Sequence, residues 1–157
     1  MSRIIGRVVL GVSGSPENLH ALRHAVQLAR HYDATLIAVN AQPVRTRITR
    51  TRRASPIWRH AASLVVHAAF ENGLGALPPD VECVLLAAPG HPGPALVDIA
   101  DRANDVLVLG PARRRRARRL LRQSVAAYCI DHAACSVLTV PPPPLASTAQ
   151  TFVRTLF

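Results

Sequence analysis

The chain has 157 residues and a formal net charge of +10; hydrophobic residues make up 49% but aromatics only 4%. That length fits one domain burying roughly two thirds of its unfolded surface, and its core must be built from Ala, Val, Leu and Ile, which suits layered α/β packing. No apolar run reaches 18 residues, which excludes a hydrophobic helix long enough to span a membrane. The amino terminus, MSRIIGRVVLGV, is too short and interrupted for a cleavable signal, so a cytoplasmic location is expected.

Every basic side chain is Arg, and the excess is concentrated. Arg45, Arg47, Arg50, Arg52 and Arg53 form one cluster; Arg113, Arg114, Arg115, Arg116, Arg118, Arg119 and Arg122 form another. The remaining seven arginines face nine acidic residues, so the net charge belongs to two stretches and the rest is about neutral. Cys83, Cys129 and Cys135 are odd in number, show no CxxC spacing and lie in or beside apolar runs. They read as small buried hydrophobes.

Ile4 to Gly11 is β-rich and predicts a first buried strand. Ser15, Pro16 and Glu17 look like an N-cap, an N1 proline and an acidic first turn, opening a helix to about Tyr32 with Leu19, Leu22, Val26 and Ala29 on its buried face. Thr35 to Ala41 is a second strand. A polar, Arg-rich insertion at about 42–55 follows, then a helix from Pro56 to Glu71 closed by Asn72-Gly73. Val81 to Ala87 is the third strand, and a Pro/Gly loop leads to a helix from about Ala95 to Arg102. Asp105 opens the fourth strand, Ser124 a fourth helix, and Val137 to Val140 forms the fifth strand. This alternation implies a five-stranded parallel sheet with right-handed crossovers and helices on both faces, an open doubly wound α/β fold. The domain is read as residues 1–141, with a Pro-rich tail at 142–157 whose Phe152, Val153, Leu156 and Phe157 are apolar.

The first strand and helix, VVLGVSGSPENLHALRHAVQLA, and the closing HAACSVLTVP resemble the universal stress proteins, and the likeness covers nearly the whole chain. That resemblance implies a Rossmann-like sheet of order 3-2-1-4-5, a stress-response role without catalysis, and an adenine-nucleotide site. The family signature, a glycine, two residues, a glycine, nine residues, then glycine and Ser or Thr, falls on Gly110, Arg113, Gln123 and Ser124. Its length is kept while two of three glycines are lost, and Ser13 replaces the Asp usual at the end of the first strand. Glycines in such a loop admit positive φ and close approach of backbone N–H groups to phosphate; Arg113 and Gln123 bring long side chains there instead. ATP is therefore not expected to be held in the usual way.

The candidate ligand residues are Val12, Ser13, Gly14, Val39, Gly110, Arg113, Arg114, Gln123, Ser124 and Val125. The alternative reading keeps ATP or another phosphate-containing ligand, with Arg113 and Arg114 replacing the cradle, since guanidinium forks bind phosphate bidentately. A third reading is nonspecific polyanion or nucleic-acid binding by the clustered arginines, weakened by the scarcity of aromatics for base stacking beyond Trp58. SGSPEN faintly resembles the SGGxDS loop of ATP pyrophosphatases, but no acid, base and nucleophile set supports an enzyme. His20, His24 and His31 share one side of the first helix near Glu17 without a fourth ligand, and solvated histidines are expected. No metal is assigned. The resemblance also implies a homodimer joined through Val137, Leu138, Thr139 and Val140.

Overall fold

The computed structural model describes residues 4–42, 56–111 and 124–142. Both arginine clusters, Arg113 and Arg114 among them, together with Gln123 and the tail beyond Pro142, lie outside the described residues. The elements run β1 (Arg7–Gly11), α1 (Asn18–Tyr32), β2 (Thr35–Gln42), α2 (Pro56–Leu74), β3 (Cys83–Pro89), α3 (Pro92–Ile99), β4 (Asp105–Leu109), α4 (Val125–His132) and β5 (Ser136–Thr139). All ladders are parallel, in the order β3-β2-β1-β4-β5. The expected fold class and strand order are therefore found.

Successive residues of a strand point to opposite faces, and the two cores follow that rule. Val8 and Leu10 of β1 pack with Leu22 and Val26 of α1 and Val66 and Phe70 of α2. Val9, between them, packs with Ile37, Leu107, Leu96 of α3 and Cys129 of α4. Val8, Val9 and Leu10 are wholly buried, and each such aliphatic side chain contributes about 1.5–3 kcal/mol of transfer free energy. Cys129 is buried as expected, while Cys83 and Cys135 are half-buried.

Several boundaries differ from the sequence reading for local reasons. Helix α1 starts at Asn18, two residues late, because Asn18 and Leu19 donate to the carbonyls of Ser15 and Pro16 and form a separate turn. Ser15 is thus not the cap. Helix α2 continues through Asn72-Gly73: Gly73 is interior and buried, where a Cβ would stand 3.0 Å from Leu22 Cδ2. The stop comes at Gly75, left-handed at φ 81°, whose N–H donates to Glu71 O at 2.9 Å. Helix α3 begins at Pro92, since its first turn needs no backbone donor from proline.

The amino ends of β1 and β4 are clamped by charge. Arg7 and Asp105 are opposite in register, and the guanidinium grips the carboxylate by Nε–Oδ1 at 2.9 Å and Nη2–Oδ2 at 2.6 Å. Arg7 Nη2 also donates to Asp101 and to Ile99 O, and Asp105 accepts from Arg102 N. These bonds draw Ile99 and Arg102 down to the strand ends and account for α3 stopping before Arg102.

Candidate functional site

In a doubly wound sheet the ligand edge lies at the carboxyl ends of the strands, where the order reverses. Here β1 pairs with β2 on one side and β4 on the other, so the switch point lies between Gly11 and Leu109. The chain segments following β1, β2 and β4 all leave from this edge. They include Ser13–Glu17 and the described residues Gln42, Pro111 and Ser124.

The described residues of the edge carry hydroxyls and amides. Ser13 Oγ lies 3.0 Å from Ser15 Oγ. Gly14 has φ 77°, a left-handed conformation that glycine adopts freely. Ser124 has extended φ/ψ, and its hydroxyl accepts from Ala127 N at 3.1 Å, the N-cap expected of α4. The cap leaves the hydroxyl exposed at the positive end of the helix dipole. Val125, the first helical residue, is half-buried against the α3/α4 core.

Val12 and Val39 are buried, so they offer this edge backbone and not side chain. Their backbones bond each other, Val12 N donating to Val39 O at 2.8 Å.

Two residues outside the sequence reading organise this edge. Asn40 is buried; its amide donates to Val12 O at 2.7 Å and its carbonyl accepts from Gln42 Nε2 at 2.9 Å. Asn18 is also buried and donates to Gly11 O at 3.2 Å. The signal for Asn18 was available: it stands four residues before Leu22 on the stripe that faces the core. A buried amide must be hydrogen-bonded, and the Gly11 carbonyl at the end of β1 is its partner.

Asn18 also explains Gly110. A Cβ at residue 110 would lie 2.7 Å from Asn18 Nδ2 and 3.4 Å from Asn18 Cα. The closeness that glycine permits here is used by the first turn of α1.

Ion pairs gather at the opposite edge. There Arg30 holds Asp80 through Nε–Oδ2 and through Nη2–Oδ1 at 3.0 Å, and Arg7 holds Asp101 and Asp105. The Arg30 guanidinium keeps the Asp80 carboxyl below its usual range, and Arg7 does the same for Asp101. A shallow hollow of about 120 Å³ beside Arg30, Asp80 and Glu82 also belongs to that end and is remote from the switch point.

With this fold and edge in place, a scan against protein families matches residues 5–141 to the universal stress protein family. The chain belongs to that family. Solved members superpose over nearly their full lengths. A universal stress protein in complex with cAMP has 24% identity and TM-score 0.61, covering 88% of this chain and 98% of that one. UspA from Lactobacillus plantarum has 19% identity and TM-score 0.57, covering 89% and 99%. A family protein from Arabidopsis thaliana with AMP bound has 19% identity and TM-score 0.55, covering 90% and 94%. No curated protein matches the chain. At these identities the superpositions establish the fold. Among the described residues, no helix is long and apolar enough to cross a membrane.

Proposed function

We propose that the chain is a non-catalytic, cytoplasmic stress-response module of the universal stress protein family whose ATP-binding motif is degraded, so that ATP is not held in the usual way. The observation that carries this reading is the Asn18–Gly110 contact. The one signature glycine retained is required by packing within the protein, and the other two glycine positions are Arg113 and Gln123. The carboxyl edge still offers an exposed Ser124 hydroxyl at a helix N-terminus, a place suited to one anionic group.

A second reading, adenine-nucleotide binding with Arg113 and Arg114 in place of the glycines, is favoured by that Ser124 cap and by the cAMP and AMP held by structural neighbours. Polyanion binding by the clustered arginines is the remaining alternative. Calorimetric titration of ATP, AMP, cAMP and a short DNA duplex at two salt concentrations separates the three. Weak ATP binding with no salt-insensitive nucleotide affinity is the expected outcome. Tight, salt-insensitive binding of any nucleotide moves the second reading to first place, and steeply salt-dependent DNA binding moves the third.

The protein is further proposed to pair through β5 with a second copy. This strand is the edge of the sheet, and an uncovered edge is a template for another strand. Leu138 and Thr139 are exposed on it, whereas Val137 is half-buried against the α3/α4 core and Val140 is buried in the α1/α2 core. Pairing would therefore use the backbone of β5 with Leu138 and Thr139 as side-chain contacts.

A further inference from the structure

Three features lie outside the family site: the acidic hollow by Arg30, the half-buried thiols of Cys83 and Cys135, and a pair of histidines on α1. The hollow is spanned by its own Arg30–Asp80 ion pair. Burial raises the thiols above their usual range, which keeps them protonated and poorly nucleophilic. The histidines carry more.

His20 and His24 are one turn apart, so their side chains share a face. The sequence places His31 on the same side, but there its ring meets Tyr32 edge-on at 4.8 Å. His20 and His24 approach each other through their outer nitrogens, Nε2 to Nε2 at 3.2 Å, with ring centroids 4.7 Å apart and planes inclined by 62°. His24 is exposed and His20 half-exposed, so the pair is open to solvent.

The inner nitrogen of His20 fixes which way the protons run. Nδ1 lies 3.0 Å from Pro141 O. A carbonyl oxygen only accepts, so Nδ1 carries the hydrogen, and in the neutral ring Nε2 presents a lone pair towards His24. A histidine ligand normally donates its second N–H to a carbonyl or carboxylate in this way, which sets its tautomer and aims its lone pair. The distance between the two Nε2 atoms fits the same purpose. Bonds of about 2.0–2.1 Å to one cation, at tetrahedral or right-angle geometry, place two nitrogens roughly 2.9–3.4 Å apart.

We propose that His20 and His24 form a two-histidine site for a divalent transition-metal cation, held by both Nε2 atoms. On binding, the hydrogen on His24 Nε2 moves through water to His24 Nδ1; no net proton is released and no electron is transferred. Among the described residues, no third His, Cys, Asp or Glu joins the pair to make a larger cluster, so water fills the other positions. The site is open and exchangeable, unlike a closed structural zinc site. Imidazole nitrogen favours the later first-row metals, with Cu²⁺ ahead of Ni²⁺ and Zn²⁺. Because His20 is tied to Pro141 O, bound metal also fastens α1 to the segment that follows β5.

The test is titration of the full chain by CuSO4, NiCl2 and ZnCl2. Wild-type protein is expected to bind one equivalent in the order just given. His24→Ala, at an exposed position, should weaken binding at least ten-fold because the chelate is lost. His20→Ala should do the same, and His31→Ala should leave the affinity unchanged. The electron paramagnetic resonance spectrum of the copper form should show two nitrogen ligands in the wild type and one in His24→Ala. Absence of a bound equivalent would overturn the proposal. So would wild-type affinity in a protein lacking both His20 and His24, or equal loss in the His31 variant.

Discussion

Asn18 occupies the space that a side chain at residue 110 would need, and through the same amide it holds the carbonyl of Gly11. One residue of α1 thus joins the ends of β1 and β4 across the switch point of the sheet. Gly110→Ala forces the Asn18 amide off Gly11 O and crowds the backbone of α1. We expect a loss of about 1–3 kcal/mol, the usual cost of overpacking a well-filled site, read as a fall in the denaturant midpoint without change in slope. Trimming the partner in Asn18→Ala/Gly110→Ala should recover part of that loss. Additive effects in the double variant would show that the two residues do not compete for this space.

At the other end of the same two strands, Arg7 and Asp105 form a pair whose carboxylate side chain is 0% exposed. Removing one partner of a buried pair leaves an uncompensated charge and costs about 3–5 kcal/mol. Arg7→Ala should therefore lower Tm by about 6–20 °C, at 2–4 °C per kcal/mol for a domain of this size. Arg7→Met/Asp105→Leu should be less destabilised than Arg7→Ala alone, since the orphaned carboxylate is gone. Thermal melts of the three proteins at neutral pH decide the matter.

These two contacts also mark the limit of what the sequence disclosed. The buried parallel strands were legible because Val8–Leu10 and Val106–Leu109 are unbroken aliphatic runs of a kind that suits strands covered on both sides, while their order was implied by the resemblance to the universal stress proteins. The Ser124 cap was legible because a hydroxyl before a helical pattern has one common use. Asn40 and Asp105 are polar groups buried through tertiary partners distant in sequence, Val12 and Arg7, and no local pattern names those partners. The end of α2 was misplaced for a related reason: Asn72-Gly73 has the chemistry of a helix stop, but Leu22 of another helix needs Gly73 inside the helix as a point of close approach. The histidines were recognised as sharing a side, whereas their proximity to Pro141 depends on where the chain goes after β5.

Ser124 has two separable roles. As N-cap it accepts from Ala127 N, and Ser124→Ala should cost about 1 kcal/mol, a fall of a few degrees in Tm. Ser124→Asp keeps an accepting oxygen and adds a charge that the helix N-terminus favours, so its Tm should match or exceed the wild type. The same carboxylate repels phosphate. If the second functional reading holds, Ser124→Asp loses nucleotide binding while remaining stably folded, and titration with AMP or cAMP beside a thermal melt reads both effects.

The acid side of the stability profile should follow the two exposed carboxylates paired with arginine. Arg30 lowers the pKa of Asp80 in the folded protein, and Arg7 lowers that of Asp101. The unfolded chain therefore takes up protons first, near the ordinary aspartate value of about 3.9. Their contribution is fully present above that pH and is lost as the pH falls through the lowered folded values. Both carboxylates are exposed and screened by solvent, so each effect should be small. Asp80→Asn should be less stable than the wild type at pH 7, with the difference shrinking towards pH 3. A difference that grew on acidification would mean that Asp80 is not held by Arg30 in solution.

The last test concerns the edge strand. Leu138 is 40% exposed on β5, while its register partner Val108 is wholly buried on the same face. An isolated edge strand gains little from an exposed leucine, whereas a strand paired with a second copy gains a side-chain contact beside each pair of backbone bonds. Leu138→Arg sets like charges near one another across the twofold axis and leaves the buried core untouched. We expect wild-type protein to sediment as a dimer at micromolar concentration and Leu138→Arg to shift towards monomer by at least ten-fold in dissociation constant. The variant's unfolding midpoint should then move towards the wild-type value extrapolated to low protein concentration, because dimer stability depends on concentration. A wild-type chain that sediments as a monomer at micromolar concentration would remove β5 pairing from the account.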